Sequence, residues 1–189
     1  VATGTGSSNS AISVVDCATG EKVAEYVDSN IKPHELAAAA MALAKWFGGS
    51  DMGSGAYLIW EANGSGRIFG DAVIQSGYRN VYWRRNEQSL NRQISDIPGW
   101  YTTRENKTAL VSGYAKMLAS GEFINRSVEA VRECREYVFM KGGGLCHSRA
   151  AYSVDPSGAR DNHGDRVIAD ALCAWALRER KQKVGESPL

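Results

Sequence analysis

Two groups of residues in this chain could do chemistry. Glu61 closes a short, wholly apolar run over residues 56–60. A carboxylate there would stand at the carboxyl edge of a sheet, where open α/β sheets place their sites. Holding that charge beside Ile59 and Trp60 is costly unless it is solvated, paired or bound to a metal. The plain alternative is that Glu61 is the first residue of a loop. The second group is Asp161-Asn-His163-Gly-Asp165-Arg166, at the entry to the last helical stretch. One acid at a helix start is usually a cap, but two acids and a histidine around a glycine exceed what capping needs. Val167, Ile168, Ala171, Leu172 and Trp175 mark the buried stripe of that helix. Asp165 lies close to the stripe and is expected to point inward toward the sheet edge. Asp170 falls about 500° further round, so it is expected to face solvent.

Glu61 and Asp165 together would suit hard divalent cations, since Mg²⁺ and Mn²⁺ prefer carboxylate and water oxygens. Two such ions ~3.5–4 Å apart can activate a water and stabilise the leaving 3′ oxygen in phosphodiester hydrolysis. Two carboxylates are few for such a site, and a third is expected.

Other chemistries are excluded. Gly4-Thr-Gly-Ser-Ser-Asn9 is glycine-rich but lacks the lysine of a P-loop and leads into a strand. No serine stands in a Gly-x-Ser-x-Gly elbow. The four cysteines, at 17, 134, 146 and 173, have no CxxC spacing, so they read as free thiols with no structural zinc and no nucleophile. The net charge of +1 neither demands nor forbids nucleic acid. Positive charge is concentrated locally at Arg84 and Arg85, at Arg92, Arg104 and Lys107, and at Arg178, Arg180, Lys181 and Lys183. Each cluster is either a phosphate-binding patch or a solvated face. No apolar run approaches the ~20 residues of a membrane span, and no secretory signal is visible. A soluble, intracellular protein is expected.

The elements that must position these groups follow from periodicity and turn chemistry. A strand over 11–15, a turn ending at Gly20 and an alternating strand over 22–27 make a hairpin. Pro33 opens a helix over 34–47. Residues 56–60 read as a strand buried on both faces, followed by a helix from Gly66 to about Gln75 and a short strand over 81–83. Residues 84–103 read as a long loop. Helices are predicted from Thr103 or Asn106 to about Ala119, over 127–138 and over 161–180, with a strand over 148–154. Strands alternating with helices after an antiparallel start imply an α/β fold, a mixed sheet covered on both faces.

Four segments in this order resemble the nuclease domain of the large terminase subunit of tailed-phage DNA-packaging motors. Thr3-Gly-Thr-Gly-Ser-Ser-Asn-Ser-Ala11 with Ser13-Val-Val-Asp16 and Thr19-Gly20 is similar to that family's opening hairpin. Trp60-Glu-Ala-Asn-Gly-Ser-Gly66 resembles its Glu-x-Asn-x-x-Gly element. Gly99-Trp-Tyr-Thr102 with Lys107, and His163-Gly-Asp-Arg-Val-Ile168, resemble its remaining motifs. The resemblance spans nearly the whole chain. It implies a ribonuclease H-like domain over 1–180, with a polar tail over 181–189. It also implies metal-dependent endonuclease cutting of concatemeric double-stranded DNA during packaging, with a two-ion Mg²⁺ or Mn²⁺ site. By the same resemblance Glu61 and Asp165 are metal ligands. Asp161 or His163 is an auxiliary ligand or proton shuttle. Lys107 lies near phosphate or an acidic ligand. From the local concentration of positive charge, Arg84, Arg85 and Arg104 are expected to face DNA. The implied partners are the portal protein, the small terminase subunit and the motor's ATPase domain, in the cytoplasm of an infected bacterium. The family's first catalytic aspartate ends a strand just before a segment like residues 1–4, so that strand is expected upstream of Val1. Asp16, at the far end of the following strand, is no substitute. The rival readings are another ribonuclease H-like nuclease of resolvase or transposase type, and a non-catalytic module that binds DNA or the portal.

Overall fold

The alternating residues 10–28 fold as the predicted hairpin, β1 (Ser10–Val15) against β2 (Lys22–Asp28), antiparallel, with a register slip between Val14 and Val15. The computed structural model describes residues 1–6, 8–48, 55–85, 94–139, 145–148 and 164–185. Helix α1 (Pro33–Gly48) starts on the proline, whose missing N–H costs nothing in a first turn. It buries Leu36, Ala37, Ala40 and Ala44 along one stripe.

Residues 56–62 are the structural centre. The Leu58 amide donates to Asn80 O at 2.9 Å and Leu58 O accepts from the Tyr82 amide at 2.8 Å. Further along, Trp60 O accepts from the Trp100 amide at 2.7 Å, and the Ala62 amide donates to Trp100 O at 2.6 Å. These even-numbered residues bond on one edge only, in parallel bridges Leu58 to Val81 and Glu61 to Trp100. Residues 80–82 and 99–100 therefore lie end to end along that edge, tied by the Gly99 amide donating to Tyr82 O at 2.9 Å. Side chains alternate as predicted for a strand buried on both faces. Leu58, Trp60 and Ala62 join α1 and α2 (Gly66–Gln75) in one core, with Phe69 and Val73. Tyr57 and Ile59 face the other core, with Tyr82, Trp100, Tyr114 and Val167.

The long loop expected over 84–103 is partly a two-stranded ribbon. β3 (Trp83–Arg85) pairs antiparallel with β4 (Ile94–Pro98), because Trp83 and Pro98 already meet where the two halves of the edge segment part. α3 (Arg104–Ser120) begins with a Thr103–Asn106 capping box and ends at Gly121 in the left-handed conformation. The helix predicted over 127–138 is also corrected. α4 (Val128–Cys134) is shorter, and Tyr137-Val-Phe139 is a strand, β5, paired with β6 (Leu145–His147). The β-prone triplet finds a cross-strand partner that sequence periodicity does not show. The strand expected over 148–154 lies beyond Ser148 outside the described residues. α5 (Asp165–Gly185) runs past position 180, so Lys181 and Lys183 belong to a helix and not to a tail. No described helix is long and apolar enough to cross a membrane.

Helices cover both faces, yet the expected mixed sheet is not continuous. Among the described residues there are three separate antiparallel pairs, with isolated parallel bridges outside them. The free edge of β1 and the free edge of residues 55–61 line a common cavity of about 580 Å³, walled by Ala40 and Leu43 of α1 and by Cys173, Ala176 and Leu177 of α5. This open groove separates β1 from residues 55–61.

Gly99 holds the junction where ribbon and edge strand meet. Its φ is +85°, and a Cβ there would come 2.7 Å from Trp60 Nε1. Gly99→Ala is expected to lower stability by about 1–3 kcal/mol through overpacking and backbone strain. Urea unfolding of the two chains measures it, and an unchanged midpoint would mean that Trp60 moves freely.

Candidate functional site

Glu61 is placed by the ladder that ends beside it and by the turn that follows. Asn63 locks that turn to the chain entering α3: its Nδ2 donates to Thr102 O at 2.9 Å and its Oδ1 accepts from the Thr102 amide at 2.7 Å. Asp165 is the first residue of α5. Its Oδ2 accepts from the Asn9 amide at 3.0 Å and from Ser8 Oγ at 3.4 Å. The glycine- and serine-rich opening loop thus cradles a carboxylate. Glu61 and Asp165, a hundred residues apart in sequence, line the same cavity of about 120 Å³ with Val1, Trp60 and Ile168. Both carboxylates are half-buried.

Tyr137 joins them, and sequence reasoning missed it because the residue was assigned to a helix. Its hydroxyl donates to Gly164 O at 3.3 Å, directly before Asp165. Burial, followed by the negative charges of Asp165, Glu133 and Glu61, pushes its phenol well above the usual range. The phenol therefore lies within electrostatic reach of both site carboxylates and stays protonated. Buried His147 pairs with it across β5 and β6, the rings edge-on at 5.9 Å. An isolated Tyr-Val-Phe triplet carries no signal for either contact.

Asp170 corrects an expectation. It is not solvent-facing but wholly buried. Lys22 Nζ lies 2.8 and 3.1 Å from its two oxygens. Asn125 Nδ2 donates at 2.7 Å, Tyr114 Oη at 3.2 Å, and Ser13 Oγ also donates. The helical rotation away from Asp165 holds, but that side of α5 packs on the β1–β2 hairpin and not on water. Arg166 adds a second polar anchor, with Nε 3.0 Å from Glu25 and Nη1 2.6 Å from Glu133. Burial raises the Glu25 carboxyl, but Lys22 and Arg166 outweigh it and hold the group below its ordinary value. Burial does prevail at Glu133, which is raised despite Arg166.

The remaining expected residues are distributed more widely. Lys107 lies in the first turn of α3, half-buried, and its ammonium has no ion-pair partner among the described residues. The Arg84 guanidinium lies over the Tyr101 ring at 4.9 Å from its centroid, and its buried Nε has no hydrogen-bond partner among the described residues. Arg104, exposed, begins α3, and Arg85 ends β3. Asp161 and His163 lie outside the described residues. Among the described residues no cluster of three His, Cys, Asp or Glu side chains could hold a metal. Cys17, Cys134 and Cys173 are free. Burial pushes the Cys173 thiol up to about 12, which disqualifies it as a nucleophile.

No family model matches the sequence, and neither does any curated protein. Solved structures do. The crystal structure of the large terminase nuclease from thermophilic phage G20c superposes with a TM-score of 0.58 at 18% identity, covering 90% of this chain and 75% of that one. Its magnesium-bound form gives 0.62 at 20% identity, over 89% and 75%. The cobalt-bound form gives 0.62 at 19% identity, over 90% and 76%. This chain has the fold of that terminase nuclease. The resemblance read from four short segments is thus borne out in three dimensions as a mixed α/β architecture.

The buried phenol yields a pH prediction. A folded-state pKa raised above the ordinary value of about 10 contributes stability that is fully present below pH ~10 and is lost as pH rises further. Stability should therefore fall above pH ~10, and Tyr137→Phe should reduce that alkaline loss. Denaturant midpoints between pH 8 and 11 measure it. Equal alkaline losses in the two chains would mean that Tyr137 ionises freely in the folded protein.

Proposed function

We propose that the chain is the nuclease domain of a large terminase subunit, with a ribonuclease H-like core. It cuts concatemeric double-stranded phage DNA during packaging, in the cytoplasm of the infected host, where the portal, the small terminase subunit and an ATPase domain are its partners. The observation that carries the reading is that Glu61 and Asp165 line one cavity in a chain with the fold of a terminase nuclease.

The donor set fits a hard divalent cation: two half-buried carboxylates from different elements, with oxygens as the only first ligands. The neighbours with bound magnesium and cobalt support the same class of ion. Mg²⁺ or Mn²⁺ held by Glu61 and Asp165, with Asp161 as a third ligand, would supply the activated water and the charge stabilisation of phosphodiester hydrolysis. The residues of the chain do the rest. Asn9 and Ser8 fix the Asp165 carboxylate, and Asn63 fixes the turn after Glu61. His163 moves protons beside the site, and Lys107 reaches a phosphate. Arg84, Arg85 and Arg104 hold the DNA backbone.

Nicking of supercoiled plasmid with Mn²⁺ tests the reading. Asp165→Ala and Glu61→Ala should each lower the rate at least ~100-fold with the thermal midpoint unchanged, since metal removal acts mainly on the transition state. EDTA should abolish cutting. Cutting retained in Asp165→Ala would sink the site. If the present chain is silent, the chain extended upstream of Val1 decides: no cutting there either would favour a DNA- or portal-binding module. Preference for branched over linear duplex would favour a resolvase. The joint Arg84→Ala and Arg104→Ala variant should flatten the salt dependence of DNA binding by about one unit of slope per lost phosphate contact. An unchanged slope would return those arginines to a solvated face.

A further inference from the structure

A buried ion pair seldom adds stability over an apolar replacement, and its best-attested use is to fix register. The pair between Lys22 and Asp170 has the marks of that use. Asp170 draws donors from four places: Lys22 on β2, Ser13 on β1, Tyr114 on α3 and Asn125 in the connection from α3 to α4. The buried face of α5 beside it carries two small residues, Ala171 and Ala174, between Val167 and Leu177. Small side chains make shallow ridges, so apolar packing alone resists sliding and rotation of the helix poorly. Lys22 also pairs with Glu25, which holds Arg166, which holds Glu133. Alternating charges thus bracket the first turn and a half of α5, the part that begins with Asp165.

We propose that the Lys22–Asp170 pair is a positioning device that sets the rotation and axial register of α5, and thereby the place of the Asp165 carboxylate. Asp165 precedes Asp170 by five residues, or ~7.5 Å along the axis. A slip of one residue would move it ~1.5 Å and turn it by about 100°, breaking its bond to the Asn9 amide. Lys22 and Asp170 touch neither cavity wall beside Glu61, so their effect on the site is indirect. The consequence for metal rests on Asp165 being a ligand; the consequence for the Asn9 bond does not.

Hydrogen exchange at the Asn9 amide tests it, because that amide reports the carboxylate directly. Lys22→Met alone leaves a buried charge uncompensated and should lower the thermal midpoint. The double variant Lys22→Met with Asp170→Asn removes both charges and should recover most of that loss. In the double variant Asn9 should still exchange about tenfold faster than in the wild type. Its half-saturation by Mn²⁺ in calorimetry should rise about 10–100-fold, as for lost outer support of a ligand. Wild-type exchange at Asn9 in the recovered double variant would overturn the proposal and make the pair a stabiliser only. If the double variant does not fold, Asn125→Ala decides, since it strips one donor from Asp170 and leaves both charges. Faster Asn9 exchange at an unchanged midpoint supports the proposal, and unchanged exchange overturns it. A wild type that binds no Mn²⁺ would count against the metal reading, while the Asn9 result would still stand by itself.

Discussion

Residues 58–62 exchange four backbone hydrogen bonds with residues 80–82 and 100, all on one edge. That short parallel ladder determines where the two cores meet. Because successive side chains point to opposite faces, the ladder sends Trp60 into the α1–α2 core and Ile59 into the α3–α5 core. It also determines where the apolar strand must stop. Glu61 lies one step past the last doubly buried position, where a charge can be held at the sheet edge without being enclosed. Asn63, bonded twice to Thr102, then turns the chain away from the edge and keeps the carboxylate there.

α5 supplies the other half of the site under a different constraint. A helix enclosed by a hairpin on one side and by two helices on the others has no solvated face in its first turns, so each polar residue there must find a partner. Arg166 and Asp170 do so, through Glu25, Glu133 and Lys22. Asp165 accepts from a backbone amide and a hydroxyl, and it lines the cavity that Glu61 also lines. One carboxylate at the centre of a buried network and one beside the cavity thus share a helix. The two are five residues apart on one helix.

The slot beside β1 shows the same economy in reverse. The apolar walls from α1 and α5 are in place and two strand edges face each other, yet the sheet is divided into pairs. The helices can hold this arrangement because each is anchored independently, α1 through Leu36 and Ala40 to one core and α5 through Val167 and Leu172 to the other. The fold shared with the terminase nuclease thus accommodates an open groove between β1 and residues 55–61.

By itself the sequence determined the elements whose signals are local. The alternation of residues 22–27, the proline and alanine run of α1, the glycine after Gln75 and the Thr103 cap all act over a few residues, and all fold as read. It also singled out Glu61 and Asp165, because a strand-ending acid and an acid beside a helix's apolar stripe are visible without knowing what packs where. Tertiary structure alone decided the rest. Tyr137-Val-Phe139 is a strand because Leu145–His147 lies beside it, and helical periodicity ends at Cys134 for that reason. Tyr137 reaches Asp165 only through that pairing. Asp170 is buried because its side of α5 meets Lys22, a neighbour 148 residues away. Periodicity says which way a side chain points; only packing decides whether water or protein is waiting there.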